Sequence, residues 1–297
     1  MAQALVLDDW TGEDVSIAEI ERVLASLREA AAADGPDLRT SVATHLAWVP
    51  AEWLDAARAT LAGLAERHPS RTVLLTPEPG APDGLDAAVS LRCFPLAGMV
   101  RTVCTEVIEL RLRGGRAAAP ASVVLPLLIS DLPVFCRWRG RPPFGEAPFG
   151  EAPFRQLVGV VDRLVVDSAE WPDVPGAYAE LARVFDDAAV SDIAFGRSLA
   201  WRVRLAGLWP GIASLSALEI EGPRSDALLL AGWLRSRLGR EVELRWSEAP
   251  ALARVAVDGE DVVPPDDPPP SPSDLLSAEL DAFGRDPVYE AALLAAR

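Results

Sequence analysis

The sequence predicts an α/β protein: two α/β units with mixed, partly parallel sheets, followed by a proline-linked C-terminal helical tail. Three observations predict it. Short apolar runs alternate with segments of helical period along most of the chain, the pattern of a layered α/β fold. A length of 297 residues exceeds one domain of roughly 100 to 200 residues. A proline-rich acidic spacer, VVPPDDPPPSPS, separates the last apolar strand from a short amphipathic tail.

The elements follow in order. Residues 16–33, SIAEIERVLASLREAAAA, place Ile17, Ile20, Val23 or Leu24, and Leu27 at helical spacing. LRTSVATHLAWV reads as a strand, and PAEWLDAARATLAGLAERH as a helix that opens on Pro50 and ends at His68-Pro69. RTVLLT, DAAVSLRCF and TEVIELRLR read as three further strands. ASVVLPLLISDLPVFCRW reads as a short helix, a turn at Ser130-Asp131, and a core strand from Pro133 to Trp138. DRLVVDSA is another core strand.

In the second half, GAYAELARVFDD and FGRSLAWRVRLAGLW read as helices and LSALEIEG as a strand. Pro223 and Gly239 bracket the helix RSDALLLAGWLRSRLG, whose Ala227, Leu230, Leu234 and Leu238 form one stripe. REVELRW and ARVAVDG complete the smaller unit, and in the tail Leu276, Leu280 and Phe283 share a helical face. The expected domains are therefore 1–168, 169–262, and a linker and helical tail over 263–297. The tail is expected to fold back on its own domain rather than onto a partner.

Composition narrows the function classes. A formal net charge of −16 disfavours nucleic acid and anionic membrane as partners. No apolar run reaches the ~18 residues of a membrane span, and the N-terminus lacks a signal peptide's positive start, so a cytoplasmic protein is expected. All 28 basic residues are Arg, and the chain has neither Lys nor Asn, the mark of a GC-rich genome. The three cysteines, Cys93, Cys104 and Cys136, fit neither a disulfide framework nor a Cys-x-x-Cys metal clip and are expected as buried free thiols.

Catalytic parts are scarce. Neither a phosphate-binding Gly-rich loop with Lys nor a G-x-G-x-x-G motif is present. Of the two histidines, His45 lies inside a strand and His68 at a helix end, where a cation complements the helix dipole. No enzyme, cofactor or metal is expected from this set.

What stands out is tryptophan beside arginine. DLPVFCRWRG ends a core strand, and in open α/β sheets the crevice beyond the strand carboxyl ends is the favoured ligand site. Strand alternation sends Cys136 and Trp138 to one face and Arg137 and Arg139 to the other. Two guanidinium groups beside an indole suit a phosphate or carboxylate clamp, or an interface hot spot. In SDIAFGRSLAWRVR, Arg197 and Trp201 share a helical face while Arg202 points elsewhere.

At these groupings the chain resembles the OpcA family of glucose-6-phosphate dehydrogenase assembly proteins. The apolar Leu-Pro-Leu-Leu segment (Leu125, Pro126, Leu127, Leu128) leads into Asp131, Leu132, Pro133 and Val134, and then Trp138 and Gly140. DRLVVDS, SDIAFGRSLAWR with Asp192, Arg197, Trp201 and Arg202, HPSRTVLL, and LLSAELDAFGRDPVYEAAL are similar to further family stretches. Arg137 stands where a second Trp is common, and Phe195 where the helix motif has Trp.

The resemblance implies a non-enzymatic assembly factor and allosteric activator of glucose-6-phosphate dehydrogenase, in the oxidative pentose phosphate pathway of a bacterial cytoplasm. It makes Asp131, Arg137, Trp138, Arg139, Asp192, Arg197, Trp201 and Arg202 the expected partner- or ligand-binding residues. The alternative is an enzyme or sensor that binds a sugar phosphate or nucleotide in the Arg/Trp strand-end crevice. PFGEA occurs twice from Pro143 to Ala152. Extending a loop by five residues costs only a few tenths of a kcal/mol in closure entropy, so the repeat reads as a tolerant loop.

Overall fold

The computed structural model describes residues 5–33, 41–64, 67–95, 102–144 and 152–296, and the chain divides into two units, Met1–Leu164 and Val165–Arg297. The PFGEA duplication, apart from Pro143, Phe144 and Ala152, lies outside the described residues.

The first unit contains β1 (Leu5–Gly12), α1 (Ile17–Ala33), β2 (Thr44–Trp48), α2 (Leu54–Leu64), β3 (Arg71–Glu78), β4 (Gly84–Pro95), β5 (Thr102–Arg113), α3 (Gly115–Ala118), α4 (Pro120–Val124), β6 (Val134–Trp138) and α5 (Ala152–Val158). β7 (Arg163–Val166) carries the point of division. The strands of this unit run in the order β1-β4-β5-β3-β2-β6. β3 pairs in parallel with β5 and β2, and β2 pairs in parallel with β6. β4 lies antiparallel to both β5 and β1.

The sheet is thus mixed, as expected, with its parallel part in the middle. β2, fully buried, is flanked by β3 and β6, which explains why THLAW reads as one apolar run without alternation. Helix α1 lays Ile20, Leu24 and Ala31 into the core, with Ile20 and Leu24 each contributing about 1.5–3 kcal/mol on burial. A buried ion pair not legible in the sequence joins α1, β3 and β5. Glu106 accepts from Arg71 Nε at 2.8 Å and from Arg28 Nε at 2.6 Å, while Arg71 also donates to the Leu127 carbonyl.

The cysteine expectation is corrected here. Cys93 on β4 is the register partner of Cys104 on β5, and the two form a disulfide. Only Cys136 is a buried free thiol, pushed up to about 12 chiefly by burial.

The second unit contains α6 (Val174–Leu181), β8 (Ala189–Asp192), α7 (Ile193–Arg197), α8 (Leu199–Ala206), β9 (Ala217–Gly222), α9 (Arg224–Leu238), β10 (Glu243–Glu248), β11 (Arg254–Val257), β12 (Glu260–Asp261), α10 (Pro272–Leu280) and α11 (Pro287–Ala295). Its four-stranded sheet has the order β10-β9-β11-β12, with β10 parallel and β11 antiparallel to β9. Ala227, Leu230 and Leu234 of α9 are buried in the core over this sheet, and Gly239 ends the helix with φ 63°.

After the prolines, Ser271 caps α10 through a capping box with Asp274. α11 lies on α9 at Gly232, where a Cβ would collide with the Ala292 carbonyl. Leu276 and Leu280 are buried, but α10 ends before Phe283, which is exposed. The expected helix from Phe195 to Trp209 is two helices, broken at Ser198, whose Oγ donates to the Phe195 carbonyl. A side chain hydrogen-bonded back to its own turn competes with helix continuation.

Candidate functional site

In the first unit, the strand order around β2 sets the site. The chain leaves β2 through α2 to β3 on one side, and β6 is added on the other side. Order therefore reverses between β2 and β6, the topological switch point at which open α/β sheets bind ligands beyond the strand carboxyl ends. A groove of about 380 Å³ lies there, lined by Trp48, Trp53, Trp138, Arg139 and Arg141 together with Pro50, Ala51, Glu52, Pro77, Gly140, Pro143 and Pro153.

Trp48 and Trp138 are register partners at the ends of β2 and β6, and their rings stack at 4.9 Å and 7°. Phe154 of α5 meets Trp138 edge-on at 5.0 Å. Trp138 is 3% exposed, so it forms the floor of the groove rather than a projecting anchor. Arg139, held by its backbone N–H on the Trp48 carbonyl, lays its guanidinium over Trp53 at 5.9 Å and donates to Thr60 Oγ1 at 3.2 Å. Gly140 then takes φ 75°, a turn that sets Arg141 at the groove.

The other residues expected from this stretch do not reach it. Arg137 is buried and donates to the Trp138 carbonyl. Asp131 is exposed with φ 65°, in the turn before β6. His45 is buried on β2 and lowered to about 4, first by burial and then by Arg137, so it is neutral at pH 7.

In the second unit, Arg197 closes α7 and faces two carboxylates. Its NH1 and NH2 donate to Asp167 Oδ2 and Oδ1 at 2.9 and 2.8 Å. Its Nε and NH2 donate to Asp226 Oδ2 and Oδ1 at 3.0 and 3.1 Å. The fork geometry of a guanidinium is thereby used twice. Burial works against this charge, yet the bonds to Asp167 and Asp226 hold Arg197 above its ordinary range. Asp226 stays raised because burial outweighs Arg197.

Asp192 caps α7. Its Oδ1 accepts from Ala194 N at 2.9 Å and Ser168 N at 3.0 Å, while Oδ2 is buried without a hydrogen bond. Burial, and then Asp167, push the carboxyl up to about 7. Tyr178 OH links Ser168 Oγ to the Ser225 carbonyl beside them.

The folded chain thus holds the Asp192 proton more tightly than the unfolded chain. That contribution to stability is complete below about pH 4 and is lost as pH rises through about 7. Asp192→Asn keeps both accepted bonds and removes the charge. Its gain in unfolding free energy over wild type is expected to be larger at pH 8.5 than at pH 5.5, by about 1–3 kcal/mol. Denaturant titrations at the two pH values check this, and a pH-independent difference contradicts it.

Trp201 is 5% exposed and lines, with Arg197, a cleft of about 670 Å³ walled by Pro264, Pro265, Asp267 and the prolines 268–270. Arg202 stacks over Phe195 at 3.7 Å, and burial lowers it to about 10. The sequence reading missed Trp48, Trp53 and Arg141 in the groove and Asp167 and Asp226 in the ion-pair network. Trp53 had a signal, since a helix opening on Pro50 directly after a strand sets its first turn at that strand's carboxyl end.

The fold and these two constellations define a two-unit α/β protein with a strand-end groove in one unit and an internally compensated carboxylate network in the other. Among the described residues, no group of three or more His, Cys, Asp and Glu is arranged to hold a metal ion, and no helix is long and apolar enough to cross a membrane. Residues 62–183 match the OpcA glucose-6-phosphate dehydrogenase assembly family, described as the glucose-6-phosphate dehydrogenase subunit N-terminal domain. A protein of Nostoc punctiforme that carries the name OpcA, with a provisional assignment to the OxPP cycle, is 26% identical over 186 residues. That alignment covers 59% of this chain and 39% of the relative, so the chain spans about two fifths of that protein's length. No solved structure matches. The similarity to the OpcA family expected from the sequence is shown.

Proposed function

We propose that this protein associates with glucose-6-phosphate dehydrogenase as a non-enzymatic assembly factor and activator in the oxidative pentose phosphate pathway. The observation that carries the reading is the family match over residues 62–183, from the end of α2 through α6. It acts by binding one oligomeric form of the dehydrogenase more tightly than another, since only differential affinity shifts such an equilibrium.

The second unit offers a surface for this. On α8, Leu199 and Val203 lie four residues apart and are 57% and 63% exposed, and Trp209 beyond the helix is 67% exposed. Exposed apolar side chains one helical turn apart, as Leu199 and Val203 are, suit a protein interface, and Trp is enriched at hot spots. The same helix buries Trp201 on its inner side, and the packing of that indole positions the outward face.

Size-exclusion chromatography of the full chain mixed with the same organism's dehydrogenase tests the association. Co-elution is expected, and a Leu199→Asp/Val203→Asp double variant with an unchanged melting temperature is expected to lose it. Absence of co-elution by the wild-type chain contradicts the association, and retention by the variant contradicts the surface.

A further inference from the structure

We propose that the groove at the carboxyl ends of β2 and β6 binds a nucleotide: a planar base carried on a phosphorylated sugar. This goes beyond association with the dehydrogenase and does not depend on it.

Position supplies the first argument. The groove sits where strand order reverses, and its volume of about 380 Å³ lies within the range of small-ligand sites, roughly 300–1,000 Å³. Charge supplies the second. In a chain of net charge −16, Arg139 and Arg141 both line one small groove. Arg139 is set in place by Trp53 and Thr60, so little side-chain freedom remains to be lost on binding an anion.

The connection into α2 is the third. A short 3-10 turn, Ala51–Trp53, leads from Pro50 into α2, and Ala51 and Glu52 line the groove together with the two arginines. Cationic side chains from beyond β6 and this turn therefore border one volume.

The walls select a nucleotide over a bare anion. Trp53 is half-buried and lines the groove beside Gly140, with Arg139 over its ring. Pro77 and Pro143 add flat apolar surface. A base stacks favourably on an aromatic side chain whatever its identity, because every base has a π-face. Glu52, exposed at the rim, repels free phosphate but accepts from ribose hydroxyls, the role an acidic residue plays in dinucleotide folds.

Isothermal titration of the full chain with ADP and, separately, with inorganic phosphate tests the proposal. ADP is expected to saturate one site, with phosphate at least about tenfold weaker. Arg141→Gln is expected to weaken ADP about tenfold or more at an unchanged melting temperature. Trp53→Leu is expected to weaken ADP while leaving the weak phosphate binding as it was, and if that variant does not fold, Arg141→Gln carries the test alone. No saturable ADP binding at millimolar concentration overturns the proposal. So does ADP binding that is indifferent to Arg141→Gln. Equal affinity for ADP and phosphate overturns the nucleotide class.

Discussion

Arg197→Ala is expected to destabilise the second unit by about 3–5 kcal/mol at pH 7, the range for removing one partner of a buried ion pair. The cause is what remains. Asp226, whose side chain is 1% exposed, and Asp167 lose four hydrogen bonds between them and repel each other without a cation. Arg197→Lys keeps the charge but cannot form two forks, so an intermediate loss is expected. The loss should shrink at acid pH, where protonation relieves Asp226, whose carboxyl burial already raises. Denaturant titrations at pH 5 and pH 7.5 measure both effects. A loss below about 1 kcal/mol at the higher pH would place this network among exposed pairs of little value.

Trp138→Ala is expected to cost the first unit about 3–5 kcal/mol, as for large-to-small changes of buried aromatic residues. Trp138 closes the core between Trp48, stacked on it, and Phe154, which meets it edge-on, and both contacts go with the indole. Trp138→Phe restores part of the contact and should recover part of the loss. Equilibrium unfolding of the two variants decides this. A cost for Trp138→Ala within about 0.5 kcal/mol of zero would mean the stack is not part of the core. The result also bears on site assignment, because lost binding in a Trp138 variant reports folding as much as contact. Arg141 and Trp53, both half-buried, separate the two.

The fold class was legible because its main strands are long apolar runs and its helices carry clear caps. β3, β5, α1 and α9 lie close to where periodicity, Pro223 and Gly239 put them. Shorter elements were not. β8 has four residues and runs directly into α7, with Asp192 serving as strand end and helix cap at once, so no period develops. The Cys93–Cys104 disulfide depends on the register of β4 against β5, and a separation of 11 along the chain does not specify that register.

Of the site, the strand-end placement of Trp138 and Arg139 followed from one apolar strand and the general position of ligand crevices. Arg197 was singled out, but its partners were not. Asp167 and Asp226 lie 30 and 29 residues away, on separate elements, and among 44 acidic residues nothing in spacing marks those two. Burial of Trp201, Asp192 and Arg137 likewise comes from packing that one sequence does not display.

The proposed shift of glucose-6-phosphate dehydrogenase toward an active assembly is tested most directly by one titration. The specific activity and oligomeric distribution of the same organism's dehydrogenase are measured together as the full chain is added. The account predicts that activity rises and saturates while the larger assembly grows in step. Unchanged activity and an unchanged distribution at saturating protein would contradict it.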